Sequence, residues 1–140
     1  MTQIDFYLLP KDGAIPVAAA LGRIAEKALA RGHSILVQAK DEMQARAIDD
    51  ALWSFRLESF VPHELAHEAV AAEGAVIGWQ SPSLDYDDVL INISGSIPES
   101  FARFQRLVEI VERDETTLSD SREAWRFYRD RGYPLAKHDL

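Results

Sequence analysis

The 140-residue sequence predicts one α/β domain, folded as a three-layer α/β/α sandwich around a mostly parallel sheet. Apolar runs of strand length alternate along the chain with longer segments whose apolar residues recur at helical spacing. Such alternation is typical of strands joined by helices that cover both faces of one sheet. Hydrophobic residues make up 47% of the chain, which is enough for the core of a single domain over residues 1–140.

The first strand–helix unit occupies residues 4–32. Residues 4–9 are mostly apolar on both faces, as in a strand that is covered on both sides, and Pro10 ends the run. Pro16 suits the first turn of the following helix, and Gly32 supplies its C-terminal stop.

The second unit predicts a central strand at residues 34–39, parallel to the first, and then a helix. Asp41 stands where an N-cap belongs, and the helix extends to about residue 54. Trp53 falls on the side opposite the apolar stripe, which predicts a binding residue, or a core residue if the helix ends before it. The predicted stripe consists of Ala45, Ile48, Ala51, Leu52 and Phe55.

The rest of the chain continues the alternation. Residues 60–63 are predicted to be extended, and residues 64–74 to form a loop or a helical turn. Residues 106–112 fit a strand or a helical segment, because periodicity does not separate the two for a short apolar run. The other predicted elements are strands at 75–79 and 89–93, a short helix at 98–104, and a helix at 114–131 that is ended by Gly132 and Pro134.

Composition excludes several classes of function. The chain has no cysteine and a net charge of −8, which excludes disulfides and thiolate sites and disfavours direct binding to nucleic acid. We therefore expect contact with DNA only indirectly, through other proteins. No apolar run approaches the roughly 18–20 residues that span a bilayer, and the N-terminus lacks the basic region of a signal peptide. These features predict a cytoplasmic protein without membrane contact.

No motif in the chain indicates catalytic, metal or cofactor chemistry. The turns after the first two strands, at residues 11–13 and 40–42, lack the glycine pattern of a phosphate-binding loop. His63 and His67 have no third ligand in the pattern, so they fit ordinary loop histidines better than a zinc site. The acidic residues at 85–88 fit a solvated turn better than a cation site. We expect no catalytic residue, no metal and no cofactor.

The last helix carries the clearest binding pattern. Arg122, Arg126 and Arg129 occupy an arc beside an apolar one, and Trp125 lies on the border between them. Arginine can grip a terminal carboxylate through two parallel hydrogen bonds, and an apolar arc can hold a hydrophobic terminal side chain. The pattern fits either a site for an acidic peptide with a hydrophobic end or an ordinary amphipathic helix with a solvated basic face.

Several short motifs, taken in this order, resemble the chi subunit of the bacterial DNA polymerase III holoenzyme. They are Phe6-Tyr7-Leu8-Leu9, Lys40-Asp41-Glu42, Ala51-Leu52-Trp53, Ser59-Phe60-Val61-Pro62-His63, Trp125, Tyr128-Arg129 and Gly132. The resemblance covers nearly the whole chain and rests on the order and spacing of the motifs together. It implies a Rossmann-like α/β fold without a functional nucleotide-binding loop, in a non-catalytic accessory subunit.

The resemblance also implies a first partner and the residues that contact it. Chi proteins join the clamp-loader complex, through the psi subunit, to the acidic C-terminal tail of single-stranded DNA-binding protein, which ends in proline and phenylalanine. Arg122 matches the family arginine that holds the tail carboxylate, Trp125 matches an aromatic beside it, and Val111 matches a pocket wall. Trp53 matches a tryptophan associated with the same contact. Arg126 and Arg129 are expected to extend the basic rim.

A second contact is implied at Phe60, which matches a family phenylalanine used for psi or for a competing helicase, and Val61 adjoins it. Because psi is less widely distributed than chi, an equivalent clamp-loader component is the alternative second partner. The competing function is a nucleotide- or small-molecule-dependent α/β enzyme. That alternative rests on fold analogy and on the acidic turn at residues 85–88.

Overall fold

The computed structural model describes residues 1–54, 63–65, 75–79 and 86–140, so the predicted contact residues Phe60 and Val61 lie outside the described part of the chain. A 3-10 turn at Phe101–Arg103 precedes the sixth strand. The elements in chain order are β1 (Gln3–Leu8), α1 (Val17–Ala30), β2 (Ile35–Ala39), α2 (Glu42–Ser54), β3 (His63–Leu65), β4 (Ala75–Trp79), β5 (Val89–Asn92), β6 (Arg106–Val111), α3 (Glu115–Asp130) and β7 (Leu135–Asp139).

The described strands form one sheet in the order β3-β4-β2-β5-β6-β1-β7. All of the paired neighbours in this sheet are parallel. The predicted parallel orientation of the first two strands is therefore confirmed, and β2 is an interior strand. β1 and β2 are not neighbours, however, because β5 and β6 lie between them.

The helices cover the two faces of the sheet separately. On one face, apolar residues of α1 and α2, such as Leu21 and Ile48, pack with Val37 and Ile91 in a single buried cluster. On the other face, residues of α3 join a second cluster with Phe6, Leu36 and Leu107. This arrangement confirms the three-layer α/β/α sandwich that the alternation of elements predicts.

The structure shows the secondary structure of three segments for which periodicity gave an ambiguous or incorrect prediction. Residues 106–111 form strand β6, whose last five residues are buried. The short helix expected at residues 98–104 is reduced to the 3-10 turn. Strand β3 confirms the extended conformation predicted at His63 and continues through residues 64 and 65, which were expected to begin a loop or a helical turn; His67 is outside the described residues.

Strand β7 was not predicted at all. Its sequence, Leu-Ala-Lys-His-Asp, is largely polar and follows a proline, so it carries no apolar run to indicate a strand. It is an edge strand, and only β1 pairs with it among the described residues. A polar strand is stable there because one long side of it faces solvent.

Candidate protein-interaction site

Helix α3, which carries most of the predicted site, is capped at its N-terminus by its own sequence. The Asp114 carboxylate accepts hydrogen bonds from the Thr117 backbone N–H at 2.9 Å and from the Thr117 hydroxyl at 2.7 Å. These hydrogen bonds lower the pKa of Asp114. At the other end the chain turns at Gly132, where a φ of 83° favours glycine. The predicted span of the helix is confirmed to within one residue at each end.

The buried face of α3 packs on aromatic rings from the sheet and the 3-10 turn. Ala124 and Tyr128 are buried, and the Tyr128 ring lies 5.0 Å from the ring of Phe101. Trp125 is half-buried, and its ring meets the Phe6 ring edge-on with 5.2 Å between centroids. Edge-on packing of this kind holds an aromatic ring in one orientation while part of its surface stays accessible.

One flank of α3 is basic. Arg122, Arg126 and Arg129 are exposed along it. Arg126 Nε lies 3.4 Å from the backbone oxygen of Arg122, and Arg129 pairs with Asp130 at 3.1 Å. Within the described residues neither Arg122 nor Arg126 forms an ion pair. In the part of the chain that the structure describes, two guanidinium groups beside the half-buried Trp125 therefore have no carboxylate partner, although the net charge of the chain is −8.

The opposite flank of α3 is acidic and borders a cleft of about 370 Å³ against the ends of β5 and β6. Asp120 and Glu123 line its helical side, and Asn92 and Glu109 line its sheet side. Val111 also lines this cleft and is 3% exposed. Val111 therefore supports α3 from beneath, on the flank away from the arginines. The helix separates the two charged surfaces.

The buried carboxyl of Glu109 has a strongly perturbed ionisation. Burial raises the pKa of Glu109 to about 8, and a hydrogen bond donated by the Asn92 amide partly opposes that rise. The Asn92 amide also donates to the Ser96 backbone oxygen, and the Asn92 side-chain oxygen accepts from the Ser94 hydroxyl. Burial, followed by the nearby charge of Glu109, also raises the pKa of Tyr128.

The structure identifies Lys137 as a further cation on the face that α3 covers, which the sequence pattern does not indicate. Lys137 in β7 is in register with Phe6 in β1, so their side chains project from the same face of the sheet, the face that α3 covers. Lys137 is exposed and forms no ion pair with any described residue. The neighbouring acid on that face, Asp139, is paired with Arg113 at 2.7 Å. No local pattern in the sequence places Lys137 on the face that carries α3, because the pairing of β7 with β1 puts it there.

The comparison with known proteins decides the family. A family model for the DNA polymerase III chi subunit, HolC, matches residues 1–136. The chain belongs to the DNA polymerase III chi subunit family. This confirms the resemblance found in the short motifs, and it also fits the observed α/β fold.

Three chi proteins match almost from end to end. DNA polymerase III subunit chi of Pseudomonas aeruginosa is 37% identical over 140 residues, which cover 100% of this chain and 98% of that protein. The protein of the same name from Escherichia coli K12 is 33% identical over 141 residues, with 96% of each chain covered. That of Haemophilus influenzae is 28% identical over 138 residues, covering 97% of this chain and 96% of the other.

In this chi-family chain, α2 and α3 lie on opposite faces of the sheet. The backbone of Trp53 lies in α2, whose buried residues Ala45, Ile48 and Leu52 confirm most of the predicted stripe. A shared pocket for Trp53 and Arg122 would require the two helices to be neighbours, and their layers are separated by the sheet. The backbone of Trp53 therefore lies across the sheet from the arginine flank of α3.

Two acidic residues that the sequence singled out, Asp41 as an N-cap and Asp88 in the acidic turn, have structural roles. Asp41 is confirmed as the N-cap of α2, since it accepts a hydrogen bond from the Gln44 backbone N–H at 2.8 Å. Asp88 accepts one from the Ser34 backbone N–H at 3.0 Å and pairs with His33 at 3.0 Å.

Across the described ranges no cluster of three or more His, Asp and Glu side chains could hold a metal ion. No helix in these ranges has the length and apolar character to cross a membrane.

Proposed function

We propose that this chi-family protein is a non-catalytic adaptor of the DNA polymerase III holoenzyme that binds the acidic C-terminal tail of single-stranded DNA-binding protein. One observation carries the proposal. Arg122 and Arg126 lie beside the half-buried Trp125 and form no ion pair with any described residue, although acids outnumber basic residues in the chain by 23 to 15. Cations that have no internal partner, next to an accessible aromatic surface, are what an acidic peptide with a hydrophobic end requires.

The roles of the side chains follow from their placement. Arg122 stands three residues before Trp125, so the two lie on adjacent turns of one helix face, where a carboxylate and its own side chain can be bound together. Phe6 fixes the Trp125 ring from below. Arg126 and Arg129 extend the basic flank toward further acids of the tail. Val111 contributes through packing.

The negative charge of the protein supports the expectation that it contacts DNA only indirectly, through other proteins. A net charge of −8 opposes the counterion-driven binding of a nucleic acid backbone. Linkage of the tail to the clamp loader needs a second interface, which we assign to Phe60 and Val61, with psi, an equivalent clamp-loader component or a helicase as the partner.

The second interface is tested by Phe60→Ala in a pull-down from purified clamp-loader components. We expect the variant to lose the second partner and to keep tail binding, because the two interfaces use separate side chains. Loss of both partners together, in a variant that unfolds at lower temperature, would indicate a folding defect and not an interface.

The tail site is tested by titrating an acidic peptide that ends in proline and phenylalanine into the wild type and Arg122→Ala. Loss of a charge-assisted hydrogen bond removes about 1.5–3 kcal/mol, so we expect binding to weaken by about 10- to 150-fold. Arg23→Ala is the matched control, since Arg23 is an exposed arginine on α1, across the sheet. Equal affinity of Arg122→Ala and wild type for the peptide would refute the assignment.

A further inference from the structure

Among the described residues, a defined set of backbone groups at the β7 edge of the sheet has no hydrogen-bond partner in the sheet. In the parallel ladder between β1 and β7, the Ile4 N–H donates to the Pro134 oxygen at 3.0 Å, and the Leu140 N–H donates to the Leu8 oxygen at 2.9 Å. Alternate residues of a strand bond to a given neighbour. Residues 134, 136, 138 and 140 are therefore turned toward β1. The N–H and C=O groups of residues 135, 137 and 139 face the open edge.

The same three residues direct their side chains to the face that carries α3. Leu135 is in register with Ile4, Lys137 with Phe6 and Asp139 with Leu8, and Ile4, Phe6 and Leu8 all contribute to the cluster beneath α3. Lys137 is exposed, and Arg113 neutralises Asp139. The open edge is thus bordered by an apolar residue, a cation that no described residue pairs with, and an acid that is neutralised by Arg113.

The basic flank of α3 is the flank on the β7 side. The acidic flank of the helix, with Asp120 and Glu123, lines the cleft against β5 and β6. In the sheet, β6 is followed by β1 and then by β7. Because the acidic flank faces β5, the arginines on the opposite flank face the β7 edge. Lys137 and the arginine row therefore border one strip of surface that includes unpaired backbone groups.

We propose that an acidic peptide segment binds this strip as an additional strand on β7, with Lys137 as one of its charge partners. The inference rests on the proposed function and specifies how the tail would be held. Main-chain hydrogen bonds to residues 135, 137 and 139 would fix an extended segment, and its alternate side chains would point toward Arg122 and Lys137. A second copy of the chain is disfavoured as the occupant, because its net charge is also −8.

Amide hydrogen exchange, resolved by residue, tests this binding mode. On adding the acidic peptide, exchange should slow at the amides of Leu135, Lys137 and Asp139. The amides of residues 136 and 138 should change little, because they already bond to β1. Uniform protection, or none, with the peptide bound would overturn the proposal. Alternating protection that appears without peptide and rises with protein concentration would also overturn it, by showing that a second copy fills the edge.

Two substitutions of Lys137 distinguish the contribution of its side-chain charge to peptide binding from that of its backbone N–H. Lys137→Ala removes the ammonium group and keeps the N–H, so peptide binding should weaken several-fold. Lys137→Pro also removes the outward N–H, which a strand edge tolerates, and binding should weaken several-fold more. Melting temperatures of the two variants establish that both are folded.

Equal peptide affinity of the two folded variants would mean that the Lys137 N–H makes no bond, and would overturn the added-strand model. Binding that depends on Arg122 but is unchanged in both Lys137 variants would also overturn the model and leave the proposed function intact. A wild-type protein that binds no acidic peptide would instead overturn the function.

Discussion

Replacing Glu109 with glutamine is expected to remove most of the pH dependence of stability between pH 5 and pH 9. Burial raises the pKa of Glu109 from 4.5 to about 8 in the folded protein. The folded chain therefore binds this proton more tightly than the unfolded chain does. The stabilising contribution of the proton is complete below pH 4.5, is lost as the pH rises toward 8, and is absent above that value.

The expected size of this effect is large for one side chain. At about 1.4 kcal/mol for each pH unit between the two pKa values, the unfolding free energy of the wild type should fall by ~5 kcal/mol from low to high pH. Glutamine carries no charge, and its side-chain oxygen can still accept the hydrogen bond that Asn92 donates. Glu109→Gln should therefore be more stable than the wild type above pH 8, and similar to it near pH 4.

Urea unfolding at a series of pH values measures this difference. Glu99→Gln is the matched control, because Glu99 is exposed and its removal subtracts one charge without changing the core. The unfolding free energy of Glu99→Gln should change with pH in parallel with that of the wild type. A wild-type curve that stays level from pH 5 to pH 9 would mean that Glu109 titrates normally, which would contradict its burial.

Phe6→Ala is expected to destabilise the protein by about 3–5 kcal/mol, the cost of emptying a buried aromatic position. Phe6 is 3% exposed, and its ring lies 5.2 Å from that of Trp125 and 6.1 Å from that of Tyr128. Removing it leaves a cavity directly beneath the candidate site. Because a domain is stable by only about 5–15 kcal/mol, the variant should remain folded at low temperature and unfold at a much lower urea concentration.

The same substitution should weaken binding of the acidic peptide, since the Trp125 ring loses the surface that orients it. Phe6→Leu serves as the comparison, because leucine refills much of the volume and should recover part of both losses. Peptide affinity measured on each variant under folded conditions separates the two effects. Unchanged affinity in folded Phe6→Ala would show that Phe6 does not position Trp125 for binding.

Much of the fold was predictable because its signals are local. Apolar periodicity and capping residues placed α1, α2 and α3 to within about a residue, since Asp41 and Asp114 satisfy the first backbone N–H groups of their own helices. Residues 106–111 stayed ambiguous because a buried parallel strand and a buried helix are both apolar throughout. Strand β7 was missed because an edge strand needs no apolar run.

The candidate site was predictable only in part, for a similar reason. Helical spacing brings Arg122 and Trp125 together, so the sequence alone identified that pair. Lys137 reaches the same face of the sheet only through the pairing of β7 with β1, a strand more than 100 residues away along the chain. The resemblance also links Trp53 to the same contact, and the structure places the backbones of Trp53 and Arg122 in helices on opposite faces of the sheet. The burial of Glu109 likewise depends on the position of α3 above β6.

The sequence by itself determined the alternation of strands and helices, the membership of the chi family and the basic row on the last helix. All of these follow from spacing along the chain, which short-range geometry converts directly into local structure. The tertiary structure decided the strand order, the face on which each helix packs and the edge that the arginines face. These depend on contacts between distant segments, whose pairing is set by the packing of the whole core.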